Sequence, residues 1–241
     1  ETFKKEKKEN RFVHDFLFSL KNMPVTMKKL GLIQFFSWFA FFTMWSMATP
    51  GLTDYVYKAP APDKTAFDFS IPAQEQVFNI ANKAFQTASD NVGSAMGIYG
   101  LSSMVFALLL TFYAAKRSVN RKLVHMFSLV AGGVGFLLMG LGQASLLNIS
   151  FILIGISWGS ILSMPYAMLS SSVDEKRMGM MMGLFNMFIV IPQIIAALGG
   201  INFLSELISK SSIAPMILAG ISLILGGLSN FLINDKKVII G

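Results

Sequence analysis

The sequence predicts an all-α membrane protein with six transmembrane helices. Of its 241 residues, 54% are hydrophobic and 14% are charged, and the mean hydropathy is +0.59. Soluble domains are about 45–50% apolar and about 25% charged, so this composition indicates membrane spans. Two further observations support this class: six long apolar stretches, and a strong bias of lysine and arginine toward alternate connections.

The spans follow from the thickness of a bilayer. Its hydrocarbon core of about 30 Å needs roughly 20 apolar helical residues. Six stretches meet this length, namely 30–52, 94–115, 124–143, 148–170, 179–203 and 214–234. Short polar turns separate them, except for the long connection 53–93. Residues 1–29 are predicted to be a linker before the first span.

The positive charges predict the orientation of the spans. With an even number of spans, both termini lie on one side, and that side collects sixteen of the twenty lysines and arginines. Such a bias places both termini in the cytoplasm of a multi-pass protein of the cell membrane. The net charge of +7 is therefore expected to anchor cytoplasmic loops in the lipid bilayer, not to bind nucleic acid.

The linker and the long connection each contain a candidate surface helix. In the linker, Phe12, Phe16, Leu17 and Leu20 repeat at helical spacing, although a solvated tail fits equally well. The connection changes character near Pro72, where an amphipathic helix is expected to lead into the second span. Its predicted apolar face consists of Val77, Ile80, Ala81, Ala84, Phe85 and Ala88. This segment is either a lid or, more commonly in such connections, a passive spacer.

Several kinds of chemistry lack the residues they need. The chain has no cysteine, which excludes disulfides, thiolate metal sites and a cysteine nucleophile. No charged residue or histidine lies in the middle of a predicted span, and His14 and His125 have no partner at metal-binding or nucleophilic spacing. Asp54 and Asp90 are the nearest candidates for proton binding, although carboxylates at an interface are ordinary. We expect no enzyme activity, no cofactor and no metal.

Uncharged polar residues remain as the candidate site. In the first span, Gln34 and Trp38 share a helical face with Phe41 and Trp45. The other candidates are Trp158 and Tyr166 in the fourth span and Asn186 and Gln193 in the fifth. Such amides and indoles suit a neutral sugar, since amides bond to hydroxyls and indoles stack on the apolar face of a ring. Amides that hold helices together are the equally valid alternative.

Prolines and glycines mark further features of the spans. Pro165 and Pro192 lie inside spans, where each is expected to kink its helix and to shape gating. The pairs Gly155/Gly159 and Gly179/Gly183 have the four-residue spacing that permits close helix contact.

Three runs of sequence resemble one known family. The run from Trp158 to Ser170, WGSILSMPYAMLS, resembles the tenth helix of the sucrose/maltose branch of the glycoside–pentoside–hexuronide:cation symporters, which belong to the major facilitator superfamily. The run from Met178 to Ile194, MGMMMGLFNMFIVIPQI, is similar to the eleventh helix, and QFFSWFAFF, starting at Gln34, is similar to the seventh. The basic loop AKRSVNRK, residues 115–122, resembles the superfamily's loop signature, although it lacks the usual Asp and has Asn120 in place of Gly.

The resemblance implies an organisation and a function. The six spans would be helices seven to twelve of a twelve-helix transporter. Residues 30–143 and 144–241 would be the two three-helix units of a 3+3 inverted repeat, which pairs with an N-terminal six-helix half of the same protein. Because the chain begins with Glu1, not Met, we expect it to be part of a longer protein. The implied function is proton-coupled transport of a neutral sugar, a disaccharide such as sucrose or maltose, by alternating access. The alternative is a self-contained six-helix channel or carrier that acts as an oligomer.

Overall fold

The computed structural model describes residue 18 and residues 20–233, and within them all regular secondary structure is helical. The α-helices are α1 (Val25–Tyr55), α2 (Pro72–Ala114), α3 (Arg121–Met139), α4 (Leu147–Ile161), α5 (Met164–Ser170), α6 (Met178–Ile195), α7 (Ile201–Ile208) and α8 (Ala214–Ser229). The predicted linker helix falls almost entirely outside the described residues.

Six helical segments are long and apolar enough to cross a membrane. In chain order these first to sixth spans are Val25–Tyr55, Pro72–Ala114, Arg121–Met139, Ala144–Ser170, Glu175–Ile208 and Ala214–Leu232. The fourth span consists of α4 and α5, and the fifth of α6 and α7. Each predicted stretch falls largely within one of these spans, so the prediction of an all-α, six-helix membrane protein is confirmed.

Successive spans run in alternate directions, so the bundle has two distinct ends. At the first, which we call the basic end, Lys122 Nζ donates a hydrogen bond to the carbonyl oxygen of Ile233 at 2.9 Å. At the opposite end, which we call the loop end, the Tyr55 hydroxyl donates to the carbonyl oxygen of Gly140 at 3.1 Å. These bonds hold the tips of neighbouring spans together.

Five pairings between spans account for most of the packing. The third span packs on the fourth and on the sixth, the first packs on the sixth and on the fifth, and the second packs on the fourth. Burial is uneven among these helices. In the most apolar window of each span, 56% of the first is buried, but only 11% of the second and 28% of the fifth. The second and fifth spans therefore present long apolar surfaces.

The second span is unusually long, and its outer part differs from the prediction. Helix α2 has 43 residues and measures about 65 Å, so its first turns extend beyond a bilayer. The helix begins at Pro72 as predicted, but only part of the predicted apolar face is buried: Ala88 is buried and Phe85 is half-buried. Val77 and Ile80 are 57% and 65% exposed, whereas Phe78 is buried. The reason is tertiary, because Phe78 packs against two phenylalanine rings of the preceding connection.

The fourth and fifth spans are both interrupted. Helix α4 ends at Ile161, and Pro165 lies in the first turn of α5, so this proline starts a new helix. Proline suits that position because its missing N–H has no partner there in any helix. Helix α6, by contrast, continues across Pro192, and the break comes later, in Ala196–Gly200. Gly199 has φ +104° there, a conformation that glycine adopts without strain.

The two glycine pairs behave differently. A Cβ atom on Gly155 would collide with the carbonyl oxygen of Tyr99 in α2, and one on Gly159 would collide with the ring of Phe106 in the same helix. These glycines therefore allow α2 and α4 to approach closely. The same atom on Gly179 or Gly183 would meet nothing within 4 Å. Only the first pair therefore lies at a helix contact within the described chain.

Candidate functional site

All three tryptophans of the chain meet in one cluster, which we call the tryptophan cluster. Trp38 and Trp45 come from α1 and Trp158 from α4. The ring centroid of Trp158 lies 5.4 Å from that of Trp38 and 5.3 Å from that of Trp45, both in edge-to-face arrangements. Phe41 packs between them at 4.8 Å from Trp158. Trp45 remains 38% exposed, so the cluster reaches the surface of the bundle.

Unpaired polar atoms lie beside the cluster on α1. Gln34 is completely buried, and both its Oε1 and Nε2 lack a hydrogen-bond partner in the part of the chain that the structure describes. The same holds for Nε1 of Trp38, one helical turn further along. Leaving a buried polar group unpaired costs about 1–3 kcal/mol. The Gln34 amide can therefore both donate a hydrogen bond to a polar molecule and accept one from it.

The other predicted site residues do not join this cluster. The Tyr166 ring packs edge-on against Phe185, 5.7 Å away, between α5 and α6. Asn186, also on α6, is exposed in the described chain. The Gln193 amide is half-buried and donates to the carbonyl oxygen of Ile189 on its own helix at 3.0 Å.

The basic end contains polar contacts that the sequence analysis missed. His125 lies in the second turn of α3, is fully buried, and its Nδ1 lies 2.8 Å from the Ser160 hydroxyl on α4. Arg121, one turn before, donates to the carbonyl oxygen of Ala167 at 2.6 Å. Asn120 has φ −80° and accepts from the Leu123 N–H, so it caps α3 and does not form a left-handed turn. Arg121 and Lys122 thus attach α3 to the ends of the fourth and sixth spans, where helix carbonyls attract cations.

The loop end is ordered by short-range hydrogen bonds. The Thr65 hydroxyl and N–H donate to Asp63, and they lower the pKa of that carboxyl below its ordinary value. The Ser70 hydroxyl and N–H lower the pKa of Asp68 in the same way. Burial raises the pKa of Tyr57, which follows α1. The carboxylates of Asp63 and Asp68 therefore hold their turns together, and they are not available for proton coupling at neutral pH.

Sequence reasoning named Phe41 and Trp45 as part of the face of the first span but not as site residues. Their spacing from Gln34 and Trp38 was the available signal. Across the described residues, no group of three His, Asp or Glu side chains could hold a metal ion.

The fold and this site define the class of the protein. It is a polytopic membrane protein with six spanning helices, and its most distinctive feature is an uncharged aromatic and amide site on the first and fourth spans. No family model matches the chain, and no curated protein matches it.

Proposed function

We propose that this chain is the C-terminal half of a proton-coupled transporter of the cell membrane that moves a neutral sugar by alternating access. The substrate would be a disaccharide such as sucrose or maltose, and it would bind at the tryptophan cluster with Gln34. The observation that carries the proposal is the unpaired, fully buried Gln34 amide, one helical turn from Trp38 of the tryptophan cluster.

The chemistry of the cluster suits a neutral, polyhydroxylated ring. A sugar hydroxyl both donates and accepts, and so does the Gln34 amide. The apolar face of a sugar ring packs well on indole. Gln34, Trp38, Trp45 and Trp158 carry no charge, so the site contains no counter-ion for a charged substrate.

The packing supports the inverted repeat and the missing half. An exchange of the first, second and third spans with the fourth, fifth and sixth leaves the set of five main pairings unchanged. The pairing of the first span with the sixth becomes that of the fourth with the third, and the pairing of the first with the fifth becomes that of the fourth with the second. The pairing of the third with the sixth becomes itself. Trp38 and Trp158 lie on the exchanged first and fourth spans. The apolar surfaces of the second and fifth spans are suited to contact with another six-helix unit.

Orientation and coupling rest on the sequence. The lysine and arginine bias places the basic end in the cytoplasm. The proton coupling and the choice of disaccharide rest on the resemblance of the fourth and fifth spans to sucrose/maltose carriers.

Uptake of labelled sucrose and maltose by cells that express the full-length protein tests the proposal. We expect uptake that a protonophore abolishes, and a change in tryptophan fluorescence when the purified protein binds the sugar. Trp158→Phe should weaken binding, because phenylalanine offers a smaller face and no N–H. If the cells take up neither sugar, the proposed substrate is wrong. If the protonophore does not reduce uptake, the proposed proton coupling is wrong.

The same apolar surfaces also suit contact between copies of this chain, as a self-contained oligomeric carrier would need. The reading frame upstream distinguishes the two. Six further spans encoded in frame would support the half-transporter, whereas their absence together with self-association of the purified chain would support the oligomer.

A further inference from the structure

A cavity lies at the loop end, apart from the tryptophan cluster. It measures about 440 Å³ and opens between the end of α1, helix α7 and the turn that precedes α8. This volume lies within the roughly 300–1,000 Å³ of sites that hold small molecules. None of the three tryptophans lines it, so it is a distinct place, which we call the loop-end cavity.

The lining of the loop-end cavity carries charges of both signs. Asp54 at the end of α1 is half-buried, and Glu206 in α7 and Lys210 after it are exposed. Within residues 20–233, no hydrogen bond or ion pair involves these three side chains. The two carboxylates would repel an anion and can accept hydrogen bonds, and the ammonium group can donate them. A neutral molecule that both donates and accepts hydrogen bonds fits all three.

Apolar and amide groups complete the lining. Phe85, from the part of α2 that extends beyond the bilayer, contributes an aromatic ring, and Pro60 adds an apolar wall. Asn202 adds an amide. Acceptors, donors and an aromatic ring around one cavity are the combination that holds a sugar by its hydroxyls and by the apolar face of its ring.

The loop-end cavity also lies next to the tryptophan cluster along the chain. Thr49 lines the cavity, and Trp45 lies four residues before it on the same face of α1. The exposed edge of Trp45 therefore lies one helical turn from the cavity wall.

We propose that the loop-end cavity is a separate sugar-binding subsite, which holds the substrate before it reaches the tryptophan cluster. This inference rests on the proposed function, because it assigns the same neutral sugar to a second place. Asp54 and Glu206 accept hydroxyl hydrogens, Lys210 and Asn202 donate, and Phe85 supports the ring.

Protection of a single cysteine tests the subsite directly. The chain has no cysteine, so Asn202→Cys in an otherwise cysteine-free full-length protein gives one label site in the cavity. A membrane-impermeant maleimide is added to intact cells with sucrose, maltose, glycine or no ligand. We expect either sugar to slow labelling about 5- to 10-fold at saturation, as an occupied pocket excludes most probe collisions. Gln76→Cys, on an exposed turn of α2 outside the cavity, should label at one rate under every condition.

Kinetics provide the second measurement. Asp54→Asn and Glu206→Gln should each raise KM for uptake about 10-fold, the effect of one charged hydrogen bond, with little change in maximal rate. Uptake without protection at Asn202→Cys would overturn the subsite and leave the transport function intact. Protection without uptake would support the subsite and overturn the transport function. Protection by glycine but not by sugar would overturn the assignment of the ligand.

Discussion

Replacing Gln34 with leucine separates a ligand-binding amide from an amide that joins helices. The side chain is completely buried, and neither of its polar atoms has a partner in the described chain. Each unpaired buried group costs about 1–3 kcal/mol, and leucine has a similar size without polar atoms. We therefore expect Gln34→Leu to leave the free energy of unfolding unchanged or to raise it.

Ligand binding should respond in the opposite sense. Two hydrogen bonds from the amide to a sugar contribute about 1–3 kcal/mol together, which corresponds to a rise of about 5- to 150-fold in Kd. Titration of tryptophan fluorescence gives Kd, and thermal unfolding of the same sample gives stability. Gln86→Leu, on an exposed turn of α2, is the matched control and should change neither. A destabilised Gln34→Leu variant with normal Kd would refute the reasoning and would make Gln34 a helix-joining residue.

Three other predictions concern the fold and the loop end. Gly155→Ala should destabilise the protein by about 1–3 kcal/mol because the new Cβ meets the backbone of α2. Gly97→Ala is the control, because its Cβ would face open space. Equal melting temperatures of the two variants would contradict this prediction. His125→Leu should change stability little, because it leaves the Ser160 hydroxyl unpaired but also removes the buried and unpaired Nε2 of His125. The pH profile of uptake should not shift, and a shifted profile would make His125 a coupling residue. The pKa values of Asp63 and Asp68 are lowered, so their ionised carboxylates stabilise the two turns fully at pH values above the ordinary carboxyl pKa. This stabilisation is lost as the pH falls from the ordinary pKa through the lowered pKa of each group. Hydrogen exchange at Thr65 and Ser70, corrected for intrinsic rates, should accelerate over that acidic range and stay slow near pH 7.

The spans were predictable because their signal is local. Each needs only a run of apolar residues of sufficient length, and all six runs became helices. The start of α2 at Pro72 was equally local, since proline favours the first turn of a helix. The face of α2 was predicted only in part, which shows the limit. Val77 and Ile80 fit a helical stripe, but Phe67 and Phe69 pack on Phe78, which lies about a quarter turn from the centre of that stripe.

The candidate site was predictable only in part, because it depends on contacts between distant spans. The spacing within the first span placed Gln34 and Trp38 on one face, and the structure keeps them there. No local pattern brings Trp158 to that face from 120 residues away. For the same reason His125 looked isolated in the sequence, although Ser160 on the neighbouring helix meets it. Asn186 differs from these residues because it is exposed, and its helix is one of the least buried among the described spans.

The first span links the two proposed sites, and this makes them separable by experiment. Gln34, Trp38, Trp45 and Thr49 follow one another at steps of 4, 7 and 4, so they stay within about 60° of one face over about 22 Å of helix. That face runs from the buried amide through the tryptophan cluster to the wall of the loop-end cavity. If the two sites are consecutive, Gln34→Leu should abolish the fluorescence response at low sugar concentration yet leave the protection of Asn202→Cys intact. Loss of both signals together would mean that the face holds a single site extending along α1.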